Sequence, residues 1–121
     1  MARAAGGFAY RGIDPYGPLP AALLELYDPP LENIFRDHVV RLARQEGWLA
    51  HFTWNSRHSP DGEPDVRLYR GDRIVFAELK RGDGTVSDAQ ERALRIIAAT
   101  GKVEVFLWYP RHWNEICRVL A

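Results

Sequence analysis

Two carboxylates and an ammonium stand close together in the middle of this chain: Asp65, just after Pro64, then Glu78 and Lys80 on either side of Leu79. The run from Ile74 to Lys80 reads as a strand and Asp65 to Tyr69 as its partner, joined by a turn at Arg70-Gly71-Asp72-Arg73. Side chains two apart on a strand share a face, so Glu78 and Lys80 point the same way as Ile74 and Phe76, and Val75, Ala77 and Leu79 point the other. Pro64 cannot donate to a central ladder and marks a strand start. Antiparallel pairing across the turn then puts Asp65 opposite the Glu78 end. Oxygen donors gathered this way suit a hard divalent cation, and Mg²⁺ binds through one or two carboxylates plus waters and substrate phosphate. Such an ion activates water and offsets charge in the transition state of phosphodiester hydrolysis. Lys80 could orient or deprotonate that water, or clamp a phosphate oxygen. The same spacing fits a cross-strand ion pair on a solvated face equally well.

The elements around this hairpin decide what else can reach it. Leu31 to Glu46 reads as a helix, with Leu31, Ile34, Phe35, His38, Val39, Leu42 and Ala43 recurring at helical spacing and Gly47 stopping it. Glu32 falls inside that apolar arc, where an acid is costly unless it meets a cation or metal; the other reading is first-turn dipole stabilisation. Glu46 shares the arc at the frayed last turn. Trp48 to Trp54 reads as a strand and Asn55 to Glu63 as a polar loop. Ser87 to Thr100 reads as a second helix, with Gln90, Leu94 and Ile97 on one side; Ser87-Asp88-Ala89-Gln90 also has the form of a capping box with Gln at N3. Val103 to Tyr109 is an apolar strand and Pro110 to Leu120 a final helix. The expected order is α-β-β-β-α-β-α. Residues 1–30 hold five of the eight prolines and read as an irregular arm with one short helix, Ala21 to Tyr27.

Taken together, Gly62-Glu63-Pro64-Asp65, Glu78-Leu79-Lys80-Arg81 and Ser87-Asp88-Ala89-Gln90 resemble the signature of the PD-(D/E)XK nucleases, and more narrowly of the VRR-NUC branch, where G-x-P-D, E-x-K and S-x-x-Q follow in this order. The resemblance spans Leu31 to Tyr109. It implies a restriction-endonuclease-like α/β fold, a mixed four-stranded sheet flanked by helices, with residues 31–121 as the nuclease domain. It implies that Asp65 and Glu78 are metal ligands together with the Leu79 backbone carbonyl. Lys80 is then the catalytic lysine, Gln90 the supporting polar residue of the second helix and Glu32 the acid of the first. The cofactor so implied is Mg²⁺, with Mn²⁺ able to substitute. Short members of the branch resemble phage-type Holliday-junction resolvases, which implies cleavage of branched DNA by a homodimer in the cytoplasm of a bacterial or phage-infected cell. Other nuclease roles on the same fold (restriction, flap or single-strand processing) and a non-catalytic nucleic-acid-binding module are the alternatives.

Composition is that of one ordinary globular domain: 121 residues, 46% hydrophobic and 26% charged. Sixteen basic residues balance sixteen acidic ones, which argues mildly against a nucleic-acid binder. Among the basic residues only Lys80 and Lys102 are lysine, which makes Lys80 harder to dismiss as surface filler. Arg57, His58, Arg81 and Arg92 are candidates to contact phosphates beside the cleft, and Trp54 to stack on an opened base. His51 and His58 lack the partners of a zinc site. Cys117 stands alone, excludes an intramolecular disulfide and is expected as a buried hydrophobe. Phe106, Trp108 and Trp113 are candidate dimer-interface residues. No apolar run approaches the ~20 residues of a membrane span, and Met1 to Tyr10 lacks a signal-peptide core, so an intracellular protein is expected.

Overall fold

The computed structural model describes residues 32–53, 62–82 and 84–121, with the side chains of Glu32 and Asn33 excepted. The N-terminal arm, Trp54, Arg57 and His58 lie outside the described residues, as does the side chain of Glu32. The elements run α1 (Glu32–Gln45), β1 (Leu49–Phe52), β2 (Val66–Arg70), β3 (Arg73–Leu79), α2 (Asp88–Ala99), β4 (Glu104–Trp108), a 3₁₀ turn (Pro110–His112) and α3 (Trp113–Leu120). The four strands form one mixed sheet in the order β1-β2-β3-β4, antiparallel except for the parallel β3–β4 pair. A parallel pair needs a crossover, and α2 supplies it.

The two faces of the sheet are unequal. On one, Ala50, Val66, Leu68, Val75, Ala77, Phe106 and Trp108 meet Phe35, Val39, Leu42 and Ala43 of α1 and Trp113, Ile116 and Leu120 of α3 in a single buried core. Cys117 is buried there as a hydrophobe, as expected. On the other face α2 lies across the β3–β4 end with no fully buried residue of its own. Gln90, Leu94 and Ile97 are half-buried there, and Ile96 faces solvent.

Local chemistry sets the boundaries. At the end of α1 the amide of Trp48 donates to Ala43 O (2.9 Å) and that of Gly47 to Arg44 O (3.1 Å), the paired bonds of a Schellman cap. The cap consumes the Trp48 amide and its indole is buried, so β1 starts at Leu49 rather than at Trp48 as the sequence predicts. Arg70 pairs with Arg73 around a two-residue turn in which Gly71 has φ +60°, a conformation open to glycine and suited to the twist of a hairpin. The predicted C-terminal helix divides in two, because Pro110 opens a 3₁₀ turn in which His112 N donates to Tyr109 O (2.9 Å) before α3 begins.

Phe106, Trp108 and Trp113 are each about 1% exposed. Their place is the monomer core, which corrects the expectation that they face a second subunit: on this mixed sheet β4 has its apolar side under α3 rather than toward solvent. The C-terminus is clamped from the hairpin. Trp48 Nε1 donates to Leu120 O (3.0 Å), Arg70 donates to Glu46 O (2.8 Å), Leu120 O (3.1 Å) and Ala121 O (3.1 Å), and Arg73 reaches Val119 O (3.1 Å). Both guanidiniums lie over the Trp48 ring. They satisfy carbonyls that α3 leaves without intrahelical partners.

Candidate active site

The hairpin register, in which Val66 faces Ala77, brings Asp65 opposite Glu78. Asp65 sits one residue before β2, and the ladder still reaches it, since Thr53 N donates to its carbonyl (2.9 Å). Its side chain turns across the pair, Oδ2 accepting the Leu79 amide (2.8 Å). One half-buried carboxylate thus closes the end of β3 and faces the next carboxylate on that strand.

Glu78 is 1% exposed. It shares a face with Ile74 and Phe76, both half-buried, and α2 seals it where the crossover passes overhead. Gln90 Nε2 donates to Glu78 Oε2 (2.7 Å), and Lys80 Nζ lies 3.5 Å from the same oxygen. Oε1 is buried and takes no hydrogen bond. Burial first, and then the adjacent Asp65 carboxyl, push the Glu78 pKa up to about 8 against the opposing pull of Lys80. The arrangement is therefore not an ion pair on a solvated face.

Gln90 serves two purposes at once. Its amide N donates to Ser87 Oγ (3.1 Å) and its Oε1 accepts from Ser87 N (2.8 Å), a complete capping box. Because the oxygen is held by a backbone N–H, the side-chain nitrogen is left to face Glu78, and the amide orientation is determined. The cap and the site contact are alternatives in the sequence and coexist in the fold.

Gly62 joins two of the sequence motifs physically. Its φ is +80°, and a Cβ built there would meet Ala89 O at 2.4 Å and Ala89 C at 2.7 Å. The turn before Asp65 thus lies directly on the first turn of α2, and only glycine permits that approach. Glu63 pairs with Arg67 across the same turn. On the far side of Lys80, Tyr109 Oη donates to Gly84 O (2.6 Å) and Arg111 to Gly82 O (3.2 Å), while Lys80 N donates to Trp108 O (2.9 Å). Nothing in the sequence marks Tyr109 and Arg111 as holding the segment after Lys80, since the contacts span 25 and 29 residues.

Asp65, Glu78, Lys80 and Gln90 are brought together. Arg81 follows directly, half-buried with Nε lacking a hydrogen-bond partner. Arg92 is exposed on α2 and makes no hydrogen bond or ion pair among the described residues. His51 is exposed and packs edge-on against Tyr69 (5.7 Å), away from any metal-ligand set. Among the described residues no three His, Cys, Asp or Glu side chains converge. The donor set is instead two adjacent carboxyl groups, with the buried Oε1 of Glu78 accepting from no donor. Such a set fits a hard cation that takes one or two carboxylates and fills its remaining positions with water and phosphate. A divalent cation there would favour the ionised form of Glu78 against both the burial and the neighbouring Asp65 charge that raise its pKa.

No family model matches the chain, and no curated protein does. Among solved structures, that of Hjc from Archaeoglobus fulgidus, a Holliday junction resolvase from an archaeal hyperthermophile, is similar at 25% identity, covering 65% of this chain and 68% of that one with a TM-score of 0.47. The overlap is partial, and the site is read from its own geometry. Among the described residues no helix is long and apolar enough to cross a membrane.

Proposed function

We propose that this chain is a Mg²⁺-dependent endonuclease that hydrolyses phosphodiester bonds of DNA, with residues 31–121 as its nuclease domain. The observation that supports it most is Glu78: a buried carboxyl with one oxygen held by Gln90 and Lys80 and the other, which meets no donor, beside the Asp65 carboxyl. Asp65 and Glu78, with the Leu79 carbonyl, would hold the ion, and Glu32 would add the acid of α1. When bound, the ion supplies activation of water and neutralisation of charge at phosphorus. Gln90 fixes the Glu78 carboxyl by holding Oε2, which leaves Oε1 available as a ligand atom. Lys80 is tethered by Glu78 in the resting site; on substrate binding its ammonium positions the attacking water or contacts a phosphate oxygen. The water oxygen bonds to phosphorus and gives up a proton, one P–O ester bond breaks, and the leaving oxygen takes up a proton. Arg57, His58, Arg81 and Arg92 contact flanking phosphates.

The substrate form rests on the motif resemblance, which points to branched DNA, with a homodimer supplying two sites for two symmetric nicks. Mn²⁺ substitutes for Mg²⁺. The test is incubation of the full chain with labelled four-way junction, flap, duplex and single-stranded DNA in Mg²⁺. Paired nicks in the junction are expected, falling by about 10²–10³ or more in Asp65→Ala, Glu78→Ala and Lys80→Ala. Wild-type protein that cuts none of these substrates, or full activity in Glu78→Ala, contradicts the proposal.

A further inference from the structure

A basic surface lies along α1, on the face of the sheet opposite α2. A groove of about 480 Å³ runs between α1 and the edge strand β1, lined by Asp37, Val40, Arg41, Arg44, Gln45 and Phe52. Val40 and Phe52 form an apolar floor. Arg41 and Arg44 are both exposed and stand one helical turn apart on the same side of α1. Arg41 makes no hydrogen bond or ion pair among the described residues. Arg44 uses one nitrogen on Ala50 O at 3.4 Å, a long contact that leaves most of its donors available. The one carboxylate in the lining, Asp37, is met by Arg36 at 3.4 Å, and Arg36 itself lies over the Phe52 ring at 4.7 Å and reaches Thr53 O. Positive charge therefore dominates the groove.

Its position gives that charge a use. The groove ends at Phe52, next to Thr53, whose amide is bonded to the carbonyl of Asp65. Its Phe52 end therefore lies one ladder position from the backbone of Asp65, at the end of the sheet that bears the proposed metal site. Arg41 and Arg44 stand about 4.5 Å apart along the helix axis at 1.5 Å per residue, a spacing at which two long side chains can meet neighbouring phosphates of one strand. An apolar floor with arginine forks above it suits a sugar–phosphate backbone, whose sugars are weakly polar and whose phosphates take bidentate donors.

We infer that the groove between α1 and β1 carries the backbone of the DNA strand leading away from the cleaved phosphate, with Arg41 and Arg44 each neutralising a phosphate. The inference rests on the nuclease reading and deepens it, because the net-neutral chain then presents its positive charge along a track. The contact is to phosphate and is therefore independent of base sequence.

The test is anisotropy of a labelled four-way DNA junction bound to the full chain in chelator, so that nothing is cut, from about 50 to 250 mM salt. In Arg41→Ala/Arg44→Ala the slope of log affinity against log salt is expected to fall by about two, with binding weakened about tenfold or more at the low-salt end. Arg41→Lys/Arg44→Lys keeps the slope, and Arg95→Ala, which removes an exposed charge from α2 (77% exposed side chain), leaves it unchanged. Should the double alanine variant fail to melt cooperatively, Arg41→Glu alone carries the test, with a slope lowered by about one. An unchanged slope in a folded variant overturns the groove while leaving the nuclease reading standing. Wild-type protein that binds no DNA overturns both.

Discussion

Glu78 carries a proton near neutral pH in the metal-free protein because water is kept from it and Asp65 lies beside it. Its pKa rises from an ordinary 4.5 to about 8 on folding, so the folded state holds a proton that the unfolded chain has released. Its contribution to stability is fully present below about pH 4.5 and is lost as pH rises through about 8. His38 and His112 work in the opposite sense. Burial first, then Arg41 and Arg111 respectively, hold them below the usual histidine range, so they cost stability as pH falls through their unfolded value. Comparison with Glu78→Gln isolates the carboxyl. In chelator, thermal melts of the wild type are expected to lose more between pH 5.5 and 8.5 than those of Glu78→Gln; parallel curves would show that Glu78 titrates normally. Asp65 and Lys80 are legible from the sequence as partners of Glu78, because strand alternation and a hairpin turn fix their faces. The burial of Glu78 is not, since it depends on α2 arriving from ten residues further on.

At the scale of elements the site is held by contacts between short motifs. The Gly62 turn lies against the first turn of α2, so the distance from Asp65 to Gln90 is set backbone to backbone. Gly62→Ala must separate these two pieces and also strains a positive φ, at a cost of about 1–3 kcal/mol. A melting temperature matching that of wild type would contradict the packing described. Both helices, their ends and the hairpin are readable in advance because apolar periodicity, capping residues and turn glycines are local signals. The reason the motif glycine is a glycine is not local, and nor is the coexistence of cap and site contact at Gln90. Nothing in the sequence singles out Arg41 and Arg44, since only the fold sets Phe52 beside them.

On the scale of the whole molecule, one hydrophobic core carries the fold and the site stands at the end where β3 and β4 run parallel. Trp48, Arg70 and Arg73 lock the C-terminal helix to the hairpin that bears Asp65 and Glu78. Arg70→Ala removes three bonds to backbone carbonyls and a stacked guanidinium, and is expected to cost about 2–4 kcal/mol, read as a lower denaturant midpoint with an unchanged slope. A midpoint within error of wild type would mean that the clamp is decorative. The same buried aromatics that the sequence offers as a subunit interface, Phe106, Trp108 and Trp113, prove to be the inside of this core. Apolar strength alone does not distinguish a core from an interface in a sequence; layer order does.

Whether Glu78 and Asp65 hold a divalent cation is decided by calorimetric titration of Mn²⁺ into the metal-free chain at pH 7, in buffers of different ionisation enthalpy. Binding is expected with release of close to one proton, the one that Glu78 carries there, and Glu78→Gln should release none and bind far more weakly. No binding by wild type, or equal affinity and proton release in both proteins, would contradict the account.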